Sequence, residues 1–244
     1  EGMELGQSDD TWPKWLNGVV ELNRRLGAMP LVGGNTVELL RSSADTFDAM
    51  TEAVDQAERY VHVEFYIATL DASTSPFFDA LDAAIGRGVR VKFLLDHIAS
   101  RGYPGYKATT ERLTALGAEW HLMLPVLPLQ GKFQRPDLRN HRKLLVVDGE
   151  VAFTGSQNLI DPSYDNESHI EQGMRWKDLM ARFEGPVVAG INALFLTDWY
   201  SETGDLLRER EPARRAAPQA GMPDTQVVPS GPGFDGENNL RLFN

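Results

Sequence analysis

His141 and Lys143 stand two residues apart, Asp148 follows five residues after the lysine, and Gly155-Ser156-Gln157-Asn158 comes shortly after. A histidine can attack a phosphorus centre and shuttle a proton near neutral pH. A lysine brings a compact charge with three donors, suited to a non-bridging phosphate oxygen. Ser156 and Asn158 add neutral donors across a tight hairpin, where they could meet the same oxygens and stabilise a five-coordinate phosphorus transition state. Asp178 could hold one nitrogen of His141 and fix its tautomer. This chemistry needs no metal or cofactor, and no His/Asp/Glu set in the chain has ligand spacing. Each residue also has a plainer reading. A lone histidine is usually satisfied by a polar neighbour, and Asp148 before Gly149 reads as the Asp-Gly of a hairpin turn whose carboxylate fixes loop geometry.

The motif needs a scaffold. Leu144–Val147 is an apolar run closed by a turn signal, the pattern of a buried strand. Second neighbours on a strand share a face, which puts His141 and Lys143 on one side and Arg142 on the other. Upstream, Trp12 to Leu31 reads as an amphipathic helix and Thr36–Leu40 as a strand. A helix follows, capped at Ser43 and running to Glu58. The stretch Tyr60–Ile67 alternates as a strand, with His62 and Glu64 on its polar face. Ser75–Ile85 is a helix, Val89–Leu95 a buried strand, Lys107–Leu116 a helix and Glu119–Met123 a strand. Leu124–Leu138 is a proline-rich loop. Gly173–Phe183 reads as a strand carrying Asp178, with Met174, Met180 and the aromatic residues in the core. A last helix starts at Gly185-Pro186, with Val188, Ile191, Phe195 and Trp199 on one face. Strands and helices alternating at this spacing predict an α/β fold with helices on both faces of a mixed, mostly parallel sheet. The expected organisation is a lead-in with an amphipathic helix (1–32), a main domain (33–200), a linker (201–224) and the start of a further unit (225–244).

The chain has 244 residues, 42% of them hydrophobic and 24% charged, and it contains no cysteine. Thiolate metal sites and disulfides are therefore excluded. A net charge of −11 argues against nucleic acid as a partner, because that affinity rests on Lys and Arg neutralising phosphates. Against this acidic background, Lys132, Arg135, Arg139, Arg142 and Lys143 form a basic cluster with a single acid, Asp137. Such a cluster points to an anionic substrate met at one place.

The pattern His141-x-Lys143-x4-Asp148 followed by Gly155-Ser-Gln-Asn158 resembles the signature of the phospholipase D superfamily. Nearly the whole chain is similar to bacterial cardiolipin synthases, through GNTVELL (34–40), YVHVEFYIATLD (60–71), GVRVKFLLD (88–96), RNHRKLLVVDGEVAFTGSQNLID (139–161) and WKDLMARFEGPVV (176–188). The resemblance implies a phospholipase D-like fold. It also implies His141 as nucleophile or acid, Lys143 and Asn158 as phosphate ligands, and Asp178 as the acid behind the histidine, with Asp148 as a further member of the catalytic set and Ser156 as a further phosphate ligand. The implied reaction takes the phosphatidyl group of phosphatidylglycerol onto histidine and passes it to a second phosphatidylglycerol, releasing glycerol. The implied surroundings are anionic phospholipid at a bacterial cell membrane. Family members of this type carry two such motifs, and this chain has one. It therefore resembles the N-terminal half of a synthase without its membrane anchor, needing a second half or a homodimer partner. Two alternatives stay open: a single-motif phosphodiesterase or nuclease active as a homodimer, and a non-catalytic piece that binds anionic lipid headgroups.

Overall fold

A computed structural model describes residues 14–27, 29–127, 132–133, 137–207 and 222–231. The acidic lead-in, Trp12, Arg135, most of the expected linker and everything from 232 onward lie outside these residues. In chain order the elements are α1 (Lys14–Gly27), β1 (Leu31–Val32), β2 (Thr36–Leu40), α2 (Ser43–Asp55), β3 (Tyr60–Phe65) and α3 (Ser75–Gly86). Next come β4 (Arg90–Asp96), α4 (His97–Arg101), α5 (Tyr106–Leu116), β5 (Glu119–Met123), β6 (Val126–Leu127) and β7 (Lys132–Phe133). The last are β8 (Lys143–Val147), β9 (Val151–Gly155), α6 (Glu167–Glu171), β10 (Met180–Glu184), α7 (Val187–Thr203) and β11 (Thr225–Gln226).

The central sheet runs β2-β10-β9-β8-β3-β4-β5. It is mixed, as expected, but its bias is the reverse of the expected one. Only β3-β4 and β4-β5 are parallel; every pairing from β2 across to β3 is antiparallel. The reason lies in the connections. Helices α3 and α5 return the chain to make parallel neighbours, whereas β8 and β9 are joined by the Asp148-Gly149 turn, which allows only an antiparallel hairpin. Gly149 adopts φ +67° and Asp148 φ +54° there, the left-handed conformation that such a turn requires.

Side-chain alternation divides the core into two layers. Val61, Val63, Phe65, Val91, Phe93, Leu145 and Val147 face α2, α3 and α5. Tyr60, Leu94, Leu144 and Val146 face α7, whose Val188, Ile191, Phe195 and Trp199 are buried together as expected. Helices thus cover both faces. The α7 layer also corrects the polar-face reading of β3, since all six of its residues are buried and His62 and Glu64 are each 0% exposed.

Some boundaries move. Ser42, not Ser43, caps α2, with its hydroxyl accepting from Asp45 N at 3.0 Å. The short helices α4 and α6 and the β6-β7 hairpin arise where loops were expected. The strand predicted from Gly173 begins only at Met180, so Asp178 sits on the irregular segment leading into it. Met180 is core, but Met174 and Trp176 are exposed. Residues 225–231 pack on this unit: β11 pairs with β1, and Ser230 O accepts from Arg142 Nη2 at 2.7 Å.

Candidate active site

His141 and Lys143 share a face, as strand periodicity predicts. The Lys143 ammonium lies 2.8 Å from His141 Nδ1 and donates to His141 O at 2.7 Å. Arg142 points the opposite way, into the α7 layer, where it pairs with Asp198. Tyr66, just past the end of β3, packs its ring 4.1 Å from the imidazole and 5.1 Å from Lys143 Nζ. Lys143 is 3% exposed, and burial lowers its pKa to about 8, partly offset by the negative charge of Asp178. The histidine is exposed at the surface, and its pKa is also lowered, first by partial burial and then by the Lys143 charge.

The hairpin brings the second group of residues to the same end of the sheet. Gly155 ends β9 against the segment before β10 so closely that a Cβ would stand 2.2 Å from Leu179 O. Only glycine permits that approach. It seats Ser156, whose hydroxyl donates to Asp178 Oδ1 at 2.7 Å and accepts from Leu179 N at 3.1 Å. Asn158 is buried, accepts from Ile67 N through Oδ1 at 3.2 Å and donates to the Tyr164 hydroxyl at 2.9 Å. One amide hydrogen of Asn158 remains for a ligand. Tyr164 holds its position at φ +58° and lies against Tyr103 and Trp176, with ring centroids 5.8 Å away in both cases.

Asp178 is not bonded to His141. One carboxylate oxygen takes the Ser156 hydroxyl; the other, Oδ2, is buried with no hydrogen-bond partner among the described residues. An unmatched buried carboxylate oxygen is costly.

Asp148 is placed elsewhere. It stands at the far end of β8 from Lys143, about 16 Å away at roughly 3.3 Å per residue. Its carboxylate accepts from the backbone N–H groups of Glu58, Arg59 and Tyr60, each at 2.8 Å. The residue clamps the start of β3 and does not reach the His141 ring, which corrects its assignment to the catalytic set.

The basic cluster changes meaning too. Arg139 pairs with buried Asp96 at 2.7 Å and donates to Met123 O and Leu124 O. Arg142 pairs with Asp198, and Asn140 bridges Asp198 and Glu64 at 2.8 Å each. Burial, and then the Asp198 charge, push the Glu64 pKa well above the usual carboxylate range. These residues brace His141 from both flanks and do not face a ligand. Of the exposed cations near the site, Arg41, Arg175 and Lys177, only Lys177 falls in a stretch that carries the family resemblance.

Among the described residues no group of three or more His, Asp or Glu could hold a metal ion, and no helix is long and apolar enough to cross a membrane.

A family model described as "Cardiolipin synthase, PLD-like domain" matches residues 50–199. The chain is similar to cardiolipin synthase A of Proteus mirabilis, 33% identical over 209 residues that cover 84% of this chain and 42% of the relative. It is 34% identical to cardiolipin synthase A of Edwardsiella ictaluri over 212 residues, with the same coverage of 84% and 42%. The chain thus spans less than half the length of these relatives. Among solved structures, Nuc, a phospholipase D family member from Salmonella typhimurium, matches with a TM-score of 0.52 at 17% identity, covering 69% of this chain and 97% of Nuc. NucT from Helicobacter pylori gives a TM-score of 0.52 at 12% identity, covering 69% and 98%. At such identities the two structures speak for the fold alone.

Proposed function

The chain belongs to the cardiolipin synthase, phospholipase D-like domain family, and from that premise we propose that it supplies one half-site of a phosphatidyltransferase working through phosphohistidine. The observation that carries this reading is the His141–Lys143 pair, held 2.8 Å apart at a strand end beside Ser156, Asn158 and Asp178.

A phosphodiester entering here would draw the Lys143 ammonium onto a non-bridging oxygen and release the ring nitrogen it now occupies. Asn158 would donate to a second oxygen. A nitrogen of His141 attacks phosphorus, the P–O bond to glycerol breaks, and the alkoxide takes a proton from a second histidine supplied by a matching half or a partner copy. The hydroxyl of a second phosphatidylglycerol then attacks the phosphohistidine and gives up its proton to that second histidine, and the N–P bond breaks to form cardiolipin. The substrate places the reaction at a bacterial membrane surface, with anionic phospholipid as the partner.

The test is replacement of His141 by Ala in the protein as its gene encodes it. Transfer should fall by several orders of magnitude, as expected for a nucleophile, and labelled phosphatidyl group should remain on the wild-type protein alone. Undiminished cardiolipin formation by H141A would overturn the reading.

A further inference from the structure

Joining two phosphatidylglycerol molecules brings two phosphodiesters together, of which only one reacts. Lys143 and Asn158 can serve the reacting phosphorus, which leaves the other phosphate needing cations of its own. A cleft between the start of α2 and the 175–178 segment, a cavity of about 600 Å³, offers them.

Arg41, Arg175 and Lys177 line this cleft. Among the described residues, Arg41 and Lys177 make no hydrogen bond or ion pair, and the side chain of Arg175 donates only to Met174 O at 2.9 Å. Arg59, Lys92, Arg112, Arg139, Arg142 and Arg182, by contrast, are tied to carboxylates. Arg41 and Lys177, unpaired among the described residues, and Arg175, whose charge also acts on Asp161 in the same wall, offer cations to an anion entering the cleft. The start of α2, a helix of 13 residues, adds its partial positive charge from the same wall.

The walls also carry acceptors. Asp161 is engaged by the hydroxyls of Ser73 and Ser163, at 2.6 and 2.5 Å, and Asp48 is exposed. Asp178 forms the wall nearest the site, and its Oδ2 is buried and unpartnered. Carboxylates and cations lining one cleft suit a phosphate that carries hydroxyls. Trp176, 60% exposed, offers an apolar face for the glycerol carbons.

The cleft is joined to the catalytic hairpin by direct bonds. Ser43, on its α2 wall, donates to Gln157 Oε1 at 2.9 Å, and Gln157 stands between Ser156 and Asn158.

We propose that this cleft is the subsite for the unreactive glycerol-phosphodiester headgroup of the second lipid, its cations holding the phosphate. The proposal rests on the phosphatidyltransferase reading. It adds a binding site outside the His-Lys motif.

The experiment uses the gene-encoded protein with Arg41→Ala and Lys177→Ala, assayed against phosphatidylglycerol in mixed vesicles. The expected result is a KM raised about tenfold per lost charge, the equivalent of ~1.4 kcal/mol, with kcat changed by less than twofold. Arg41→Lys should recover most of the loss. Both side chains are exposed, so melting temperatures should stay at the wild-type value. A second arm uses H141A protein, which cannot turn over, and measures binding of glycerophosphoglycerol and of inorganic phosphate. The diester should bind more tightly than phosphate, and K177A in that background should weaken it. Unchanged KM and unchanged diester binding in both variants would overturn the subsite while leaving the H141A result to stand for the reaction. Equal binding of phosphate and diester would overturn the ligand class. A protein that makes no cardiolipin but binds the diester through Lys177 would separate the two readings the other way.

Discussion

The Lys143 ammonium stands 2.8 Å from His141 Nδ1, and the pair lies on the face of β8 opposite to the one on which Arg142 meets Asp198. A charged ammonium can only donate, so Nδ1 accepts and the neutral imidazole carries its proton on Nε2. The lysine therefore sets the tautomer of the histidine until a phosphate takes it away. Both groups are depressed from their ordinary pKa values, which keeps the histidine neutral and brings the lysine within reach of physiological titration.

Transfer should therefore fall on the alkaline side, with a limb near pH 8, the value to which burial lowers Lys143. The negative charge of Asp178 holds that value up, so Asp178→Asn should move the limb to lower pH. Initial rates from pH 6 to 10 on both proteins check this. A limb that stays in place or moves up in the variant contradicts it.

Asp148 should prove structural. Asp148→Ala strands three backbone donors at the start of β3, a loss of about 3 kcal/mol. That corresponds to a melting temperature lower by about 6–12 °C for a domain of this size. Activity per folded molecule should stay within a few-fold of wild type. A variant that melts normally but has lost transfer would restore Asp148 to the catalytic set.

His62 should make the protein acid-sensitive. It is fully buried with Nδ1 2.8 Å from Asn192 Oδ1, and burial lowers its pKa from 6.5 to about 4. Between those values the unfolded chain binds the proton first. The stability His62 contributes is thus complete above pH 6.5 and is lost as pH falls toward 4, about 3 kcal/mol in all. Glu64 runs the other way: its raised pKa favours the fold at low pH and costs stability as pH climbs past 4.5. Denaturant midpoints at pH 7 and 4.5 should converge in His62→Gln relative to wild type. An unchanged gap would place the acid sensitivity elsewhere.

Sequence periodicity located the reacting pair because its signal is local. A strand alternates with period two, and the separation of His141 and Lys143 from Arg142 follows from that alone. Partnerships across the fold were not legible. Arg139 and Arg142 read as a basic patch because Asp96 and Asp198, which neutralise them, lie 43 and 56 residues away in the chain. His62 and Glu64 looked like a solvent face because the alternation of β3 cannot announce that α7 will cover it. The stretch Gly173–Phe183 reads as one strand carrying Asp178, though the ladder starts only at Met180. Five residues, the length of α4 and of α6, are too few to show a helical period.

The pairing of β2 with β10 has a consequence for biosynthesis. Residues 36–40 find their neighbours only at 180–184. At 5–20 residues per second, a ribosome needs on the order of ten seconds to produce the partner. The parallel β3-β4-β5 portion can assemble early from local connections, whereas the outer edge and the segment bearing Asp178 arrive late. A nascent chain thus leaves β2 without its partner until residues 180–184 have been made, and the phosphate-handling end of the sheet is finished only after its scaffold has been built.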